Sequence, residues 1–322
     1  MQTATSTGGT PGVRMLDIGP ERDGQRVDNA LVTILKGVPR SMIYRLLRTG
    51  QVRINGKRAK PDTRLVAGDI LRIPPVRVAE KEENEAPRSG KIKEVAEAII
   101  FEDKHFLVID KPVGVAAHGG SGISHGAIEL LRAARPGDAL ELVHRLDRDT
   151  SGVLVFAKSR SGLTGLQELI REGQVVKQYL CLMTGRPRKA KFDVNAPLLK
   201  STMQGGERMV RVADGGKPSL TYFQEMEQYP DARLMLATLG TGRTHQIRVH
   251  AQYIGHALAG DPKYGDPDKN KAMKNIGLRR MFLHASHMSF DLDGRSYSFS
   301  APLPDELKTF LDKLAATGKS GH

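Results

Sequence analysis

Nine consecutive residues hold the densest chemistry in this chain: His144-Arg145-Leu146-Asp147-Arg148-Asp149-Thr150-Ser151-Gly152. Two aspartates alternate with two arginines and a histidine between two apolar runs. The segment therefore reads as a loop between strands or at a sheet edge. Asp149-Thr150-Ser151-Gly152 has turn chemistry, because Asp and hydroxyl side chains bond nearby backbone and Gly takes positive φ. An aspartate in a pocket beside an arginine is held ionised against desolvation. Such a carboxylate acts as a nucleophile or a base. A charged hairpin tip that merely solvates has the same composition, so the cluster alone leaves both readings open.

Other groupings carry less. His118-Gly119-Gly120 has the outline of an esterase oxyanion loop, but no G-x-S-x-G nucleophile turn accompanies it. His245, His250, His256, His284 and His287 show no zincin spacing, and five residues apart on a helix do not share a face. No metal site is expected. Neither a phosphate-binding G-x-x-x-x-G-K-[ST] loop nor a dinucleotide fingerprint is present, so no nucleotide cofactor is expected.

The elements that must position the cluster read as a sheet with flanking helices. Ala98–Phe101 and Phe106–Ile109 are apolar runs around a Glu-Asp-Lys turn, hence paired strands. A helix is predicted over Gly126–Arg135, a buried strand over Val153–Phe156, and a helix from there to about Glu172. Strands follow at Val175–Thr184, Met209–Ala213, Leu220–Glu227 and Arg233–Thr238. A helix is predicted from near Thr244 to Gly255. A last helix starts near Pro304 and turns Leu307, Phe310, Leu311 and Leu314 inward. Strands outnumber helices and short turns link many of them. The predicted class is α+β, a mainly antiparallel mixed sheet with flanking helices, plus a small N-terminal αβ domain.

That small domain spans residues 21–80. Val27, Ala30, Leu31, Ile34 and Leu35 share one helical face, and Gly37 and Pro39 stop the helix. A second helix runs from about Arg40 to Thr49. Val52 and Ile54 alternate before Asn55-Gly56, a two-residue hairpin signal. The segment holds thirteen basic and six acidic residues, a charge of +7. Residues 1–20 read as a flexible tail, 81–94 as a polar linker, and 95–322 as the larger domain.

The whole chain has 322 residues and a formal charge of +13. About half of that excess lies in the small domain, as a nucleic-acid module would show. Aromatic residues are 5% and Trp is absent, which excludes a base-stacking platform dense in aromatics. The one cysteine, Cys181, cannot form an internal disulfide, which favours a reducing compartment. No secretory signal is visible and no stretch approaches the ~20 apolar residues of a membrane span. A soluble cytoplasmic protein is expected, with no membrane partner, and nothing calls for a dimer.

Two resemblances sharpen these readings. GQRVDNALVTILKGVPRSMIYRLLRTGQVRINGKRAKP with LVAGDILRIP resembles the S4-type RNA-binding domain. That resemblance implies RNA contacts at Arg40, Arg45, Arg48, Arg53, Lys57 and Arg58. HRLDRDTSG is similar to the catalytic loop of the RluA family of pseudouridine synthases. Lys111-Pro112-Val113-Gly114, Lys177-Gln178-Tyr179, Thr241 to His250, Gly260 to Gly265 and Leu283-His284-Ala285 resemble further motifs of that family, in order. The likeness runs from about residue 21 to the end and is strongest to ribosomal large-subunit members. It implies conversion of uridines in 23S rRNA, naked or in an assembly intermediate, to pseudouridine. In that reading Asp147 is the catalytic carboxylate, Tyr179 packs near the target base or serves in proton transfer, Arg248 pairs with Asp147, and Arg145 helps displace the flipped uridine. The isomerisation neither gains nor loses an atom, so it implies no cofactor. A non-catalytic rRNA-binding or assembly factor is the rival reading. An esterase-like hydrolase is more distant, for want of a nucleophile turn.

Overall fold

A computed structural model describes residues 12–35, 38, 40–76, 87–120, 124–202 and 208–318. The chain divides after residue 86 into two compact units.

The first unit contains β1 (Arg14–Asp17), α1 (Val27–Ile34), α2 (Arg40–Arg48), β2 (Arg53–Ile54), β3 (Lys57–Arg58) and β4 (Ile70–Ile73). Its sheet is antiparallel, in the order β1-β4-β2-β3. Asn55 and Gly56 both have positive φ, 48° and 78°, which lets two residues reverse the chain between β2 and β3. Val27, Leu31, Ile43, Leu47, Leu65 and Leu71 are fully or almost fully buried between the helices and the sheet. Part of the segment read as tail is ordered. Arg14–Asp17 pairs with β4, and Ile18 is buried behind it. Polar composition hid this strand, because the pairing is a backbone property that needs only an open sheet edge.

The second unit opens with α3 (Ser89–Glu97), β5 (Ile99–Glu102), β6 (Phe106–Lys111), α4 (Ala127–Ala134), β7 (Glu141–Leu142), β8 (Ser151–Ala157) and α5 (Arg160–Glu172). It continues through β9 (Val176–Thr184), β10 (Lys191–Asn195), β11 (Leu198–Thr202), β12 (Arg208–Val212), β13 (Leu220–Tyr229) and β14 (Ala232–Leu239). The last elements are α6 (Gln246–Tyr253), α7 (Pro267–Ile276), β15 (Leu283–Leu292), β16 (Arg295–Ser300) and α8 (Asp305–Thr317). The polar stretch read as linker through residue 94 is helical from Ser89, and Val95 anchors that helix in the core. Residues 81–86 of that stretch lie outside the described residues.

Eight strands form the path β10-β13-β14-β9-β15-β8-β6-β5, with β16 beside β15 and β7 beside β8. Every pair is antiparallel except β15 with β8. β6 and β8 are covered on both faces. Leu107, Ile109, Leu154 and Phe156 enter one apolar cluster, while Phe106, Val108, Val153 and Val155 enter another. Strict alternation makes this possible, and it explains why both strands read as unbroken apolar runs. Burying each of these side chains contributes about 1.5–3 kcal/mol. The loop that follows β7 is thus tied at its far end to the best-packed strand.

β15 is central yet carries polar residues, and its His284 is fully buried. Nε2 donates to the Ala301 carbonyl (3.1 Å), which leaves Nδ1 to accept from Ser151 Oγ (2.9 Å). Ser151 Oγ in turn accepts from Arg280 Nη2 at 2.8 Å. This network needs a neutral imidazole, and burial, chiefly, pushes the His284 pKa down to about 4. The unfolded chain takes up its proton near pH 6.5. Stability from this residue is therefore intact above about pH 6.5 and is lost as pH falls toward 4, by about 1.4 kcal/mol per pH unit. Urea unfolding at pH 7 and pH 5 should show wild type losing about 2 kcal/mol more than His284→Gln. Equal losses would contradict the assignment.

Candidate active site

Asp147 stands in the loop between β7 and β8, where two cavities meet. One, of about 520 Å3, is lined by Tyr179 and Lys177 of β9 and by the turn from Leu239 into α6. The other, of about 620 Å3, is lined by His118-Gly119-Gly120, Arg148 and Lys263. Arg145, Leu146, Asp147, His245 and Arg248 line both. Asp147 is thus on the partition between them.

The backbone on either side of the carboxylate is fixed. The Asp147 carbonyl accepts from Thr150 N–H at 3.1 Å. The Arg148 carbonyl accepts from Gly114 N–H at 2.9 Å and from Lys111 Nζ at 3.3 Å. Lys111 is fully buried and also donates to the carbonyls of Pro112 (2.8 Å) and Val115 (2.7 Å). Burial, chiefly, pulls its amine down to about 7. Its role is to staple the segment after β6 to the Asp147 loop. The loop then turns into β8 through Gly152, whose φ is +108° and where a Cβ would collide with the Ala285 carbonyl.

Arg248 lies in the first turns of α6 and is almost wholly buried. Its Nε and Nη2 hold Asp261 in a two-pronged pair at 2.7 and 2.8 Å. Its Nη1 reaches Asp147 Oδ2 at 3.4 Å. The sequence pairs Arg248 with Asp147 alone. In the structure the stronger partner is Asp261, whose carboxylate also accepts from the Lys263 and Tyr264 N–H groups at 2.8 and 3.0 Å. Burial alone would lift the Asp261 carboxyl, but the Arg248 hydrogen bonds and charge outweigh it and hold it below the usual range. Arg248 is therefore locked by one carboxylate and presented by its free edge to the other.

His245 completes the surroundings. It caps α6 in the left-handed region, at φ 55°, a conformation that His, like Asn and Asp, adopts more readily than other non-glycine residues. Its Nε2 is 3.6 Å from Asp147 Oδ2 and its Nδ1 is 2.7 Å from Tyr264 Oη. Tyr264 Oη accepts from Val210 N–H at 3.1 Å, and its proton is then free to go to Nδ1. That leaves the imidazole proton on Nε2, facing the Asp147 carboxylate. Burial holds the ring below its usual range, against the pull of Asp147.

Tyr179 is buried at the wall of the first cavity, and its hydroxyl has no hydrogen-bond partner among the described residues. Burial, and then the charge of Asp147, push its phenol well above the usual range, so it stays protonated. Arg145 is exposed at the junction of the two cavities and makes no ion pair among the described residues.

The structure thus brings Asp147, Tyr179, Arg248 and Arg145 together. Sequence reasoning assigned no part to Asp261, Tyr264, His245 or Lys111. Their signal was present as positions in the family-like motifs, without a partner to give them meaning. The glycine loop is no oxyanion hole, because the Gly119 N–H is taken by Glu129 Oε2 at 3.0 Å. Among the described residues no group of three or more His, Cys, Asp or Glu could hold a metal ion. No described helix is long and apolar enough to cross a membrane.

In the first unit, Arg45, Arg48, Arg53, Lys57 and Arg58 are all exposed, on α2 and on the β2–β3 hairpin. Arg53 Nη1 donates to the Gly56 carbonyl at 3.2 Å, and Arg58 donates to the Arg48 carbonyl. The side chain of Arg40 lies outside the described residues.

Known proteins are similar to this chain. Residues 105–253 match the family described as RNA pseudouridylate synthase, and residues 25–71 match the S4 domain. The ribosomal large subunit pseudouridine synthase C of Escherichia coli O157:H7 is 52% identical over 95% of this chain and 98% of its own. The protein of the same name from Haemophilus influenzae is 50% identical over 94% of this chain and 95% of its own. Among solved structures, human RNA pseudouridylate synthase domain containing 4 superposes with a TM-score of 0.59 at 25% identity. That alignment covers 70% of this chain and 95% of the human one. With the Asp147 loop inside the matched segment and half of all residues identical to such relatives over nearly the full length, the chain belongs to the RNA pseudouridine synthase family and carries an S4 domain.

Proposed function

We propose that this enzyme isomerises several uridines of large-subunit (23S) rRNA to pseudouridine in the cytoplasm, with Asp147 as the catalytic carboxylate. The observation that carries the reading is the placing of one carboxylate between two cavities, beside Arg248 and His245 and across from the Tyr179 ring. The names of the relatives supply the RNA. The reaction breaks the N1–C1′ bond, turns the uracil within its pocket and joins C5 to the same sugar carbon. It needs a carboxylate, a cation beside it, an apolar wall for the turning base and a pocket that keeps water out. Asp147, Arg248 and Tyr179 meet the first three. Tyr179 serves as the wall, with its phenol held protonated by burial and the charge of Asp147.

The target must first leave its stack, at a cost of a few kcal/mol. Arg145, exposed at the cavity junction and without an ion pair among the described residues, is placed to fill the vacated space. The trio of Asp147, Tyr179 and Arg248 in one site speaks against a mere binding factor, which has no use for it. Mapping pseudouridine after incubation with 23S rRNA and with tRNA tests the substrate. Several modified uridines in 23S rRNA are expected, and modification of tRNA alone would contradict the reading.

The exposed cations of the S4 domain serve as phosphate contacts. Each contact removed should lower the slope of log affinity against log salt by about 0.7–0.9. The full-length Arg45→Ala/Arg48→Ala/Lys57→Ala variant should therefore bind more weakly and with a slope lower by about 2. An unchanged slope would show that this face does not meet phosphates.

A further inference from the structure

Lys177 is a cation that the mechanism above does not use. It is two residues before Tyr179 on β9, so both side chains leave the same face of the sheet, and both line the first cavity. The lysine is largely enclosed, yet it makes no hydrogen bond or ion pair among the described residues. Its titratable neighbour in the cavity wall is the imidazole of His144, and the carboxylate of that cavity, Asp147, makes no ion pair with it. The Val155 N–H donates to His144 Nε2 at 3.2 Å, which places the ring proton on Nδ1, and burial keeps this imidazole neutral. An enclosed ammonium with no ion-pair partner among the described residues is costly. Burial pulls the Lys177 amine down to about 8, which leaves it charged at neutral pH.

The reaction produces the missing anion in that cavity. When the N1–C1′ bond breaks, its electron pair passes to the uracil ring and spreads onto O2 and O4. C5 then gives an electron pair to C1′ and loses its proton, while N1 gains one. The base therefore carries negative charge only between the two bonds. We infer that Lys177 lies against the uracil carbonyls of the flipped uridine and stabilises the charge the base acquires as it leaves the sugar. The inference rests on the proposed uridine isomerisation. Lys177 supplies charge and keeps its own protons, so the proton lost from C5 and the one gained at N1 are exchanged with other groups or water and no further reactant is needed. An ammonium aimed at charge that develops only during reaction is the arrangement that lowers a barrier without tightening ground-state binding.

The test compares wild type with Lys177→Met, a substitution of similar length without charge, in single turnover on RNA containing uridine or 5-fluorouridine at the target. Fluorine withdraws electron density and makes the base a better leaving group, less in need of help. Loss of N-linked nucleoside reads the cleavage step. The variant should be slower by about 100-fold on uridine, and by less than about 10-fold on 5-fluorouridine, with RNA affinity unchanged and the unfolding midpoint no lower than wild type. An unchanged rate would overturn the proposal. An equal loss on both substrates would overturn it in favour of a packing role. Weaker RNA binding with an unchanged cleavage rate would overturn it in favour of a phosphate contact. Asp147→Ala in the same assay keeps the two readings apart, because its activity bears on the isomerisation and not on Lys177.

Discussion

Asp147→Asn should lower turnover by about 10⁴-fold or more while leaving the fold and the affinity for RNA intact. The substitution keeps the shape of the side chain and removes its charge. The loop that carries it will not move, since its backbone is held by Thr150, Gly114 and Lys111 rather than by the carboxylate. Nor will Arg248 be stranded, because Asp261 already neutralises it through two hydrogen bonds. The unfolding midpoint should shift little, and binding measured by filter retention should stay within about twofold, a surface-type change. What disappears is the group on which every version of the chemistry depends, whether it adds to the sugar, adds to the ring or takes a proton from C2′.

Asp261→Ala should be the most destabilising single change at the site, by about 3–5 kcal/mol, because it leaves the Arg248 guanidinium buried without its main partner. For a domain of this size that corresponds to a fall in the melting temperature of roughly 10 °C. The carboxylate is fully buried and also accepts two backbone N–H groups, so water cannot replace it. Activity should fall with stability even though Asp261 does not face the first cavity, since Arg248 would lose the brace that aims Nη1 at Asp147. Calorimetry beside the activity assay checks both, and a variant with wild-type stability would show that the pair contributes nothing net.

What the sequence reveals follows the range over which its residues interact. β6 and β8 are legible because both of their faces are covered by their own sheet's helices and loops, so their apolar runs are unbroken. The β2–β3 hairpin is legible because Asn55-Gly56 settles its turn locally. The strand β15 is not. Its buried His284 is satisfied by Ser151, 133 positions away, and by Ala301. β1 and α3 hide in segments whose composition reads as tail and linker, since edge pairing and a single anchor, Val95, leave little pattern. The site shows the same division. Its loop stands out as a cluster, but composition leaves a solvated tip and a reactive carboxylate equally open. The family resemblance points to Asp147. That Arg248 belongs first to Asp261 and that His245 turns its Nε2–H toward Asp147 become visible only once α6 and the turn after it are folded together.

Isomerisation frees the hydrogen at uridine C5, so tritium release from 23S rRNA labelled at that position tests the central claim most directly. Wild type should release tritium and Asp147→Ala should release none. Release by both would show that another group carries the reaction, and release by neither, with RNA binding retained, would contradict an activity on this RNA.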